Sequence, residues 1–109
     1  MADGSTVQVR DNPEAGCFEL SVDGQPAGQA EYQAAGGTVT MTHTEIYDAY
    51  GGRGLGSTLI KAALDALRER GASVIPECPF VRSYLQRHSE YAAMVPLEER
   101  SRFELPDGE

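Results

Sequence analysis

A chain of 109 residues holds one domain with its own core, and its formal charge of −8, from 9 Lys and Arg against 17 Asp and Glu, argues against nucleic-acid binding, which draws on cationic side chains. The two cysteines, Cys17 and Cys78, are too few for a disulfide framework and lack the spacing of a metal pair. No stretch reaches membrane-spanning length and Met1 to Thr6 has neither a basic start nor an apolar run, so a soluble cytoplasmic protein without metal, membrane or nucleic-acid partner is expected.

The first half reads as strands. Val7 and Val9 alternate with Gln8 and Arg10 until the turn residues Asp11 to Gly16 break the pattern. Phe18, Leu20 and Val22 alternate with Glu19, Ser21 and Asp23 in a second, half-buried strand closed by Asp23-Gly24-Gln25-Pro26. Residues 27 to 33 form a weaker third strand, turned by Ala34-Ala35-Gly36-Gly37, and loops this short make the neighbours antiparallel. Thr38 to Ile46 is a fourth strand rich in β-branched residues. Its period of two places His43 and Glu45 on the face of Val39 and Met41, while Ile46 falls in register with the threonines. Either the inner face turns into a polar pocket or a bulge near Thr44 switches the faces.

Four glycines then fall within Gly51-Gly52-Arg53-Gly54-Leu55-Gly56, immediately before a helical apolar pattern. Glycine admits close approach of a ligand to the backbone, and the uncompensated amides and dipole of a helix start attract phosphate. A Walker loop counted from Gly51 needs lysine where Ser57 stands, and a dinucleotide fingerprint counted from Gly52 needs glycine there. The helix runs over 55–70, with Leu59, Ile60, Ala63, Leu64 and Leu67 as its buried stripe and Gly71 as its cap. From Arg53 to Arg87 six basic residues face three acidic ones, a local +3 that leaves −11 elsewhere; a basic half suits a polyphosphate ligand and an acidic half a cationic substrate.

Ala72 to Pro76 is a short apolar strand which, following a helix, reads as a parallel crossover. Pro79 suits the first position of the next helix, with Cys78 as N-cap and Val81, Tyr84, Leu85 and His88 facing inward. The domain is expected to span 1–95, with 96–109 a polar tail whose last residues are disordered.

This order of elements, together with His43-Thr44-Glu45, Arg53-Gly54-Leu55-Gly56, Ile75-Pro76-Glu77-Cys78-Pro79-Phe80-Val81 with Tyr84, and His88-Ser89-Glu90-Tyr91, resembles the small stand-alone GNAT-like acetyltransferases over residues 17 to 95. Two positions depart from the family pattern. Gly51 stands where the (Gln/Arg)-x-x-Gly-x-(Gly/Ala) signature has Gln or Arg, and Ser89 replaces the proline of His-Pro-Glu-Tyr. The resemblance implies an α/β (α+β) fold with a mostly antiparallel mixed sheet, a Gly-rich loop into a long helix, parallel but splayed fourth and fifth strands, and a short C-terminal helix. It also implies acetyl-CoA as co-substrate, its pantetheine pairing with Ile46 and neighbours and its pyrophosphate held by Gly52, Arg53, Gly54, Leu55, Gly56 and Ser57.

Acetyl transfer to an amine needs a neutral amine, a stabilised oxyanion and a proton for the leaving thiolate. Glu45 or His43 is the candidate base, a backbone amide of the splayed strand the oxyanion donor, and Tyr84 or Cys78 the acid. A thiol at a helix start can alternatively accept the acetyl group itself. Cys17, beside Phe18 in a strand, reads as structural. Direct transfer to a small-molecule or peptide amine is the expected function. A CoA-binding module without turnover and an acidic protein-interaction domain stand as alternatives.

Overall fold

The computed structural model describes residues 6–105. Five strands form one sheet in the order of the chain: β1 (Val7–Asn12), β2 (Cys17–Val22), β3 (Gln25–Ala35), β4 (Thr38–Ile46) and β5 (Ser73–Pro76). Neighbours from β1 to β4 are antiparallel, and β5 runs parallel to β4 after the crossover through α1 (Leu55–Glu69). Asp23-Gly24 and Gly36-Gly37 make the β2–β3 and β3–β4 turns with both residues at positive φ, the two-residue geometry whose twist matches paired strands. Those turns make β3 an eleven-residue strand, longer than its weak pattern suggests.

The helices α1 and α2 (Pro79–Arg87) cover one face of the sheet and leave the other to solvent, as antiparallel sheets permit. Leu59, Ile60, Leu64 and Leu67 of α1 are fully buried against Phe18, Leu20, Met41 and Val74. Each such burial is worth about 1.5–3 kcal/mol. The exposed pairs of Lys61 and Arg68 with Asp65 are screened by water and add little, so apolar packing docks this helix. Gly71, at φ 72°, ends it in a Schellman arrangement: the Ala72 amide donates to Leu67 and the Gly71 amide to Arg68, both at 3.0 Å.

Beyond α2 a 3-10 segment (Ser89–Met94) and the one-turn α3 (Leu97–Arg100) fold back over the core. Within the stretch read as a polar tail, Phe103 and Leu105 are buried, and Gln86 Nε2 donates to the Phe103 carbonyl at 3.0 Å. The expected disorder of the last residues concerns 106–109, which lie outside the described residues.

Candidate active site

Helix α1 starts without a side-chain cap. Its N-cap Gly54 is left-handed, at φ 71° and ψ 16°, and makes no side-chain cap, and among the described residues the first turn carries no acidic residue. The amides and the positive dipole end are left for an anion. Gly52, at φ 77°, is left-handed too. A Cβ at either position would meet nothing within 4 Å, so torsion rather than space demands glycine. Gly56 has a different reason: a Cβ there would lie 2.6 Å from Phe80 Cζ, so its hydrogen admits that ring against the first turn of α1. Leu55 is buried and Ser57 half-buried. Arg53 lies over the Tyr50 ring, 5.8 Å from its centroid, and Gly51 closes the preceding 3-10 turn by donating to Asp48.

The local basic excess is more engaged than a charge count suggests. Lys61 and Arg68 pair with Asp65, Arg70 with Asp11 and Arg82 with Glu104. For an anion at this loop, the backbone amides are therefore a larger resource than the summed charge.

The choice left open in β4 is resolved by a bulge. Glu31 of β3 faces His43 and Tyr32 faces Met41, which leaves Thr42 as the extra residue. The bulge switches the faces: His43 and Glu45 are exposed on the open side of the sheet, opposite Glu31 and Gln29, while Thr44 and Ile46 turn toward the helices. Thr44 was not among the candidates from sequence, yet its Oγ1 lies 3.3 Å from Cys78 Sγ. Ile46 in register with the threonines was the signal for it.

The ladder between β4 and β5 stops at Met41 and Pro76, and the Cys78 amide donates to the Met41 carbonyl at 2.8 Å as the last link. From Thr42 to Ile46, β4 is bonded to β3 alone, leaving an open backbone edge beside Cys78. Cys78 is the N-cap of α2 and only 3% exposed. Tyr84, two turns on, is also 3% exposed; its ring stacks on His88 with centroids 4.1 Å apart and tilts against Tyr91 at 6.1 Å. Desolvation raises its pKa further above the already alkaline value of a free phenol. Thus Cys78, Tyr84, Ile46 and the glycine loop share the helical side, and His43 and Glu45 lie across the sheet from them. On the open side a depression of about 350 Å³ is lined by Arg10, Glu19, Gln29 and Tyr47, and includes neither His43 nor Glu45.

A sequence profile for GCN5-related N-acetyl-transferases matches residues 17–94, which holds every candidate residue. The chain belongs to the GCN5-related N-acetyltransferase family. Among curated proteins with similar sequence, Protein NATD1 of Gallus gallus and of Mus musculus are each 38% identical over 50 residues, a match covering 46% of this chain and 46% of each relative, so it spans about half of their length. Two solved structures share the family fold. A GCN5-like putative N-acetyltransferase from Staphylococcus aureus superposes with a TM-score of 0.64 at 21% identity, covering 88% of this chain and 91% of the other. The ribosomal-protein-S18-alanine N-acetyltransferase from Escherichia coli gives 0.53 at 17% identity over 64% of each chain. No helix among the described residues is long and apolar enough to cross a membrane.

Proposed function

We propose that this family member is an acetyl-CoA-dependent N-acetyltransferase that passes the acetyl group directly to an amine. One observation carries the reading: an uncapped helix start and an unpaired strand edge are joined by a chain of contacts, Gly56 to Phe80 on α2 and Cys78 to Thr44 on β4. An anionic head and an amide-bearing arm are what such a pair of backbone surfaces can hold. In this reading the amides around Gly52 to Ser57 hold the pyrophosphate, and the β4 edge toward Ile46 pairs with pantetheine.

The division of the polar groups gives each a side. His43 and Glu45 meet an amine arriving from the open face and take its proton, directly or through water. A β4 backbone amide supports the oxyanion, and Tyr84 or Cys78 returns a proton to the departing sulfur from the helical side. The amine nitrogen bonds to the carbonyl carbon as the carbonyl π pair moves onto the oxygen, and when that pair returns the C–S bond breaks with its electron pair leaving on sulfur. The acidic remainder of the chain favours a cationic acceptor, small molecule or peptide.

The experiment is turnover with acetyl-CoA on an amine panel that includes lysine peptides and polyamines, with mass spectrometry of the protein. The expected outcome is acetylated amine, intersecting double-reciprocal plots and no acetyl group on Cys78. An acetyl-Cys78 that forms on mixing and disappears at the turnover rate contradicts direct transfer. Tight acetyl-CoA binding with no product on any amine favours the binding module instead.

A further inference from the structure

The His88-Ser89-Glu90-Tyr91 motif has no part in the roles assigned above, and the structure gives it a place. Tyr91 is buried and donates its hydroxyl to Asp65 Oδ1 at 2.6 Å, joining the 3-10 segment to α1. Lys61 and Arg68 hold the same carboxylate at 3.0 and 3.1 Å, and the Arg68 guanidinium lies 4.7 Å above the Tyr91 ring. The Tyr91 hydrogen bond is the leading cause holding Asp65 below the usual carboxylate range. On the other side of this joint, His88 and Tyr91 both touch the Tyr84 ring. Tyr32 and Tyr91 each end on an aspartate, but Tyr84 makes no hydrogen bond among the described residues. None of their buried side-chain oxygens lacks a partner, so the Tyr84 oxygen reaches an opening. Tyr84 is thus a residue 3% exposed overall whose hydroxyl end is accessible from outside the core.

We propose that the Tyr91–Asp65 hydrogen bond is a latch that positions Tyr84, through the rings of His88 and Tyr91, to give its proton to the departing CoA sulfur. This rests on the acetyl-transfer reading. The Tyr84 hydroxyl hydrogen goes to the sulfur as the C–S bond breaks, and the phenolate regains a proton from water. Tyr91, Asp65 and His88 are positioning residues and touch no reacting atom. The charged groups around Tyr84 are Lys61 and Asp65 on α1, Arg87 at the end of α2 and Glu90 on the 3-10 segment.

The test is a cycle of Tyr84→Phe, Tyr91→Phe and the double variant, with Asp65→Asn and Asp65→Ala beside them. Tyr91→Phe keeps acetyl-CoA affinity within about threefold and loses about 5- to 20-fold in kcat, a fraction of the value of a general acid. In the Tyr84→Phe background the same change costs nothing further, because its effect passes through Tyr84. Asp65→Asn, which keeps an acceptor for Tyr91, retains more activity than Asp65→Ala. In the ligand-free protein, NMR of Tyr91→Phe shows the His88 ring resonances moving as the stack loosens. Equal losses from Tyr91→Phe with and without Tyr84, or an unchanged His88 spectrum, overturn the latch. A moved His88 spectrum in a protein whose parent transfers no acetyl group overturns the acetyl-transfer reading and the proton-donor role with it, and leaves the joint as a packing feature.

Discussion

From Thr38 to Met41, β4 is bonded on both sides, to β3 and β5, and its alternate residues Val39 and Met41 are buried; from Thr42 to Ile46 it is bonded to β3 alone, and His43 and Glu45 are exposed. One extra residue, Thr42, separates the two regimes. The first half spends its side chains on the core. The second turns a threonine and an isoleucine toward the helices and frees a backbone edge, so the same strand serves stability at one end and, in the proposed reading, offers its edge to acetyl-CoA at the other.

Substitutions in each half should therefore separate stability from activity. Met41→Ala empties a fully buried site and is expected to cost about 2–5 kcal/mol in denaturant unfolding, with acetyl-CoA affinity retained by the folded protein. A Met41→Ala protein with parental stability would erase the contrast. Beside the second half, Cys78→Ala should keep acetyl-CoA affinity within a few-fold and lower kcat about 10- to 100-fold, as for loss of one proton donor. A parental kcat removes Cys78 from the chemistry and leaves Tyr84.

Glu45→Gln should lower kcat rather than affinity, and should change the pH profile of an activity that rises from neutral to alkaline pH as the amine sheds its proton. Unchanged turnover with an unchanged pH profile leaves His43 or water as the base. The smallest effect concerns Tyr32, opposite Met41 in the paired half. Its pKa is pushed up to about 12, first by desolvation and then by its hydrogen bond to Asp11. The folded protein therefore stays protonated where the unfolded chain begins to ionise: this contribution is whole below pH 10 and is lost as pH rises toward about 12. Tyr32→Phe should flatten that alkaline decline in stability and leave acetyl transfer near neutral pH unchanged.

The strand order, the long helix, the parallel crossover and the glycine loop were legible because each is written in local periodicity or turn chemistry. The bulge at Thr42 was legible only as a choice of two, since the count of residues between paired positions belongs to two strands at once. For the same reason Thr44 was missed as the neighbour of Cys78, and Asp65 as the partner of Tyr91, 26 residues away. The glycines looked alike in sequence. Only the fold distinguishes Gly52 and Gly54, which are needed for torsion, from Gly56, which is needed for the Phe80 ring. Phe103 and Leu105 looked like scattered apolar residues in a polar stretch, and no periodicity announced their burial. The basic segment was visible, but not its pairing with Asp11 and Glu104 from outside it.

The central claim is that the loop into α1 binds acetyl-CoA through its backbone, and calorimetry of the parent and of Gly54→Val tests it most directly. A β-branched residue at φ 71° is strained whatever the space around it, so the variant must shift the torsions that present the first-turn amides. The account predicts a measurable binding heat for the parent and none for a Gly54→Val protein whose circular dichroism shows it folded. A folded Gly54→Val that binds acetyl-CoA as tightly as the parent contradicts the claim and reduces the loop to a turn.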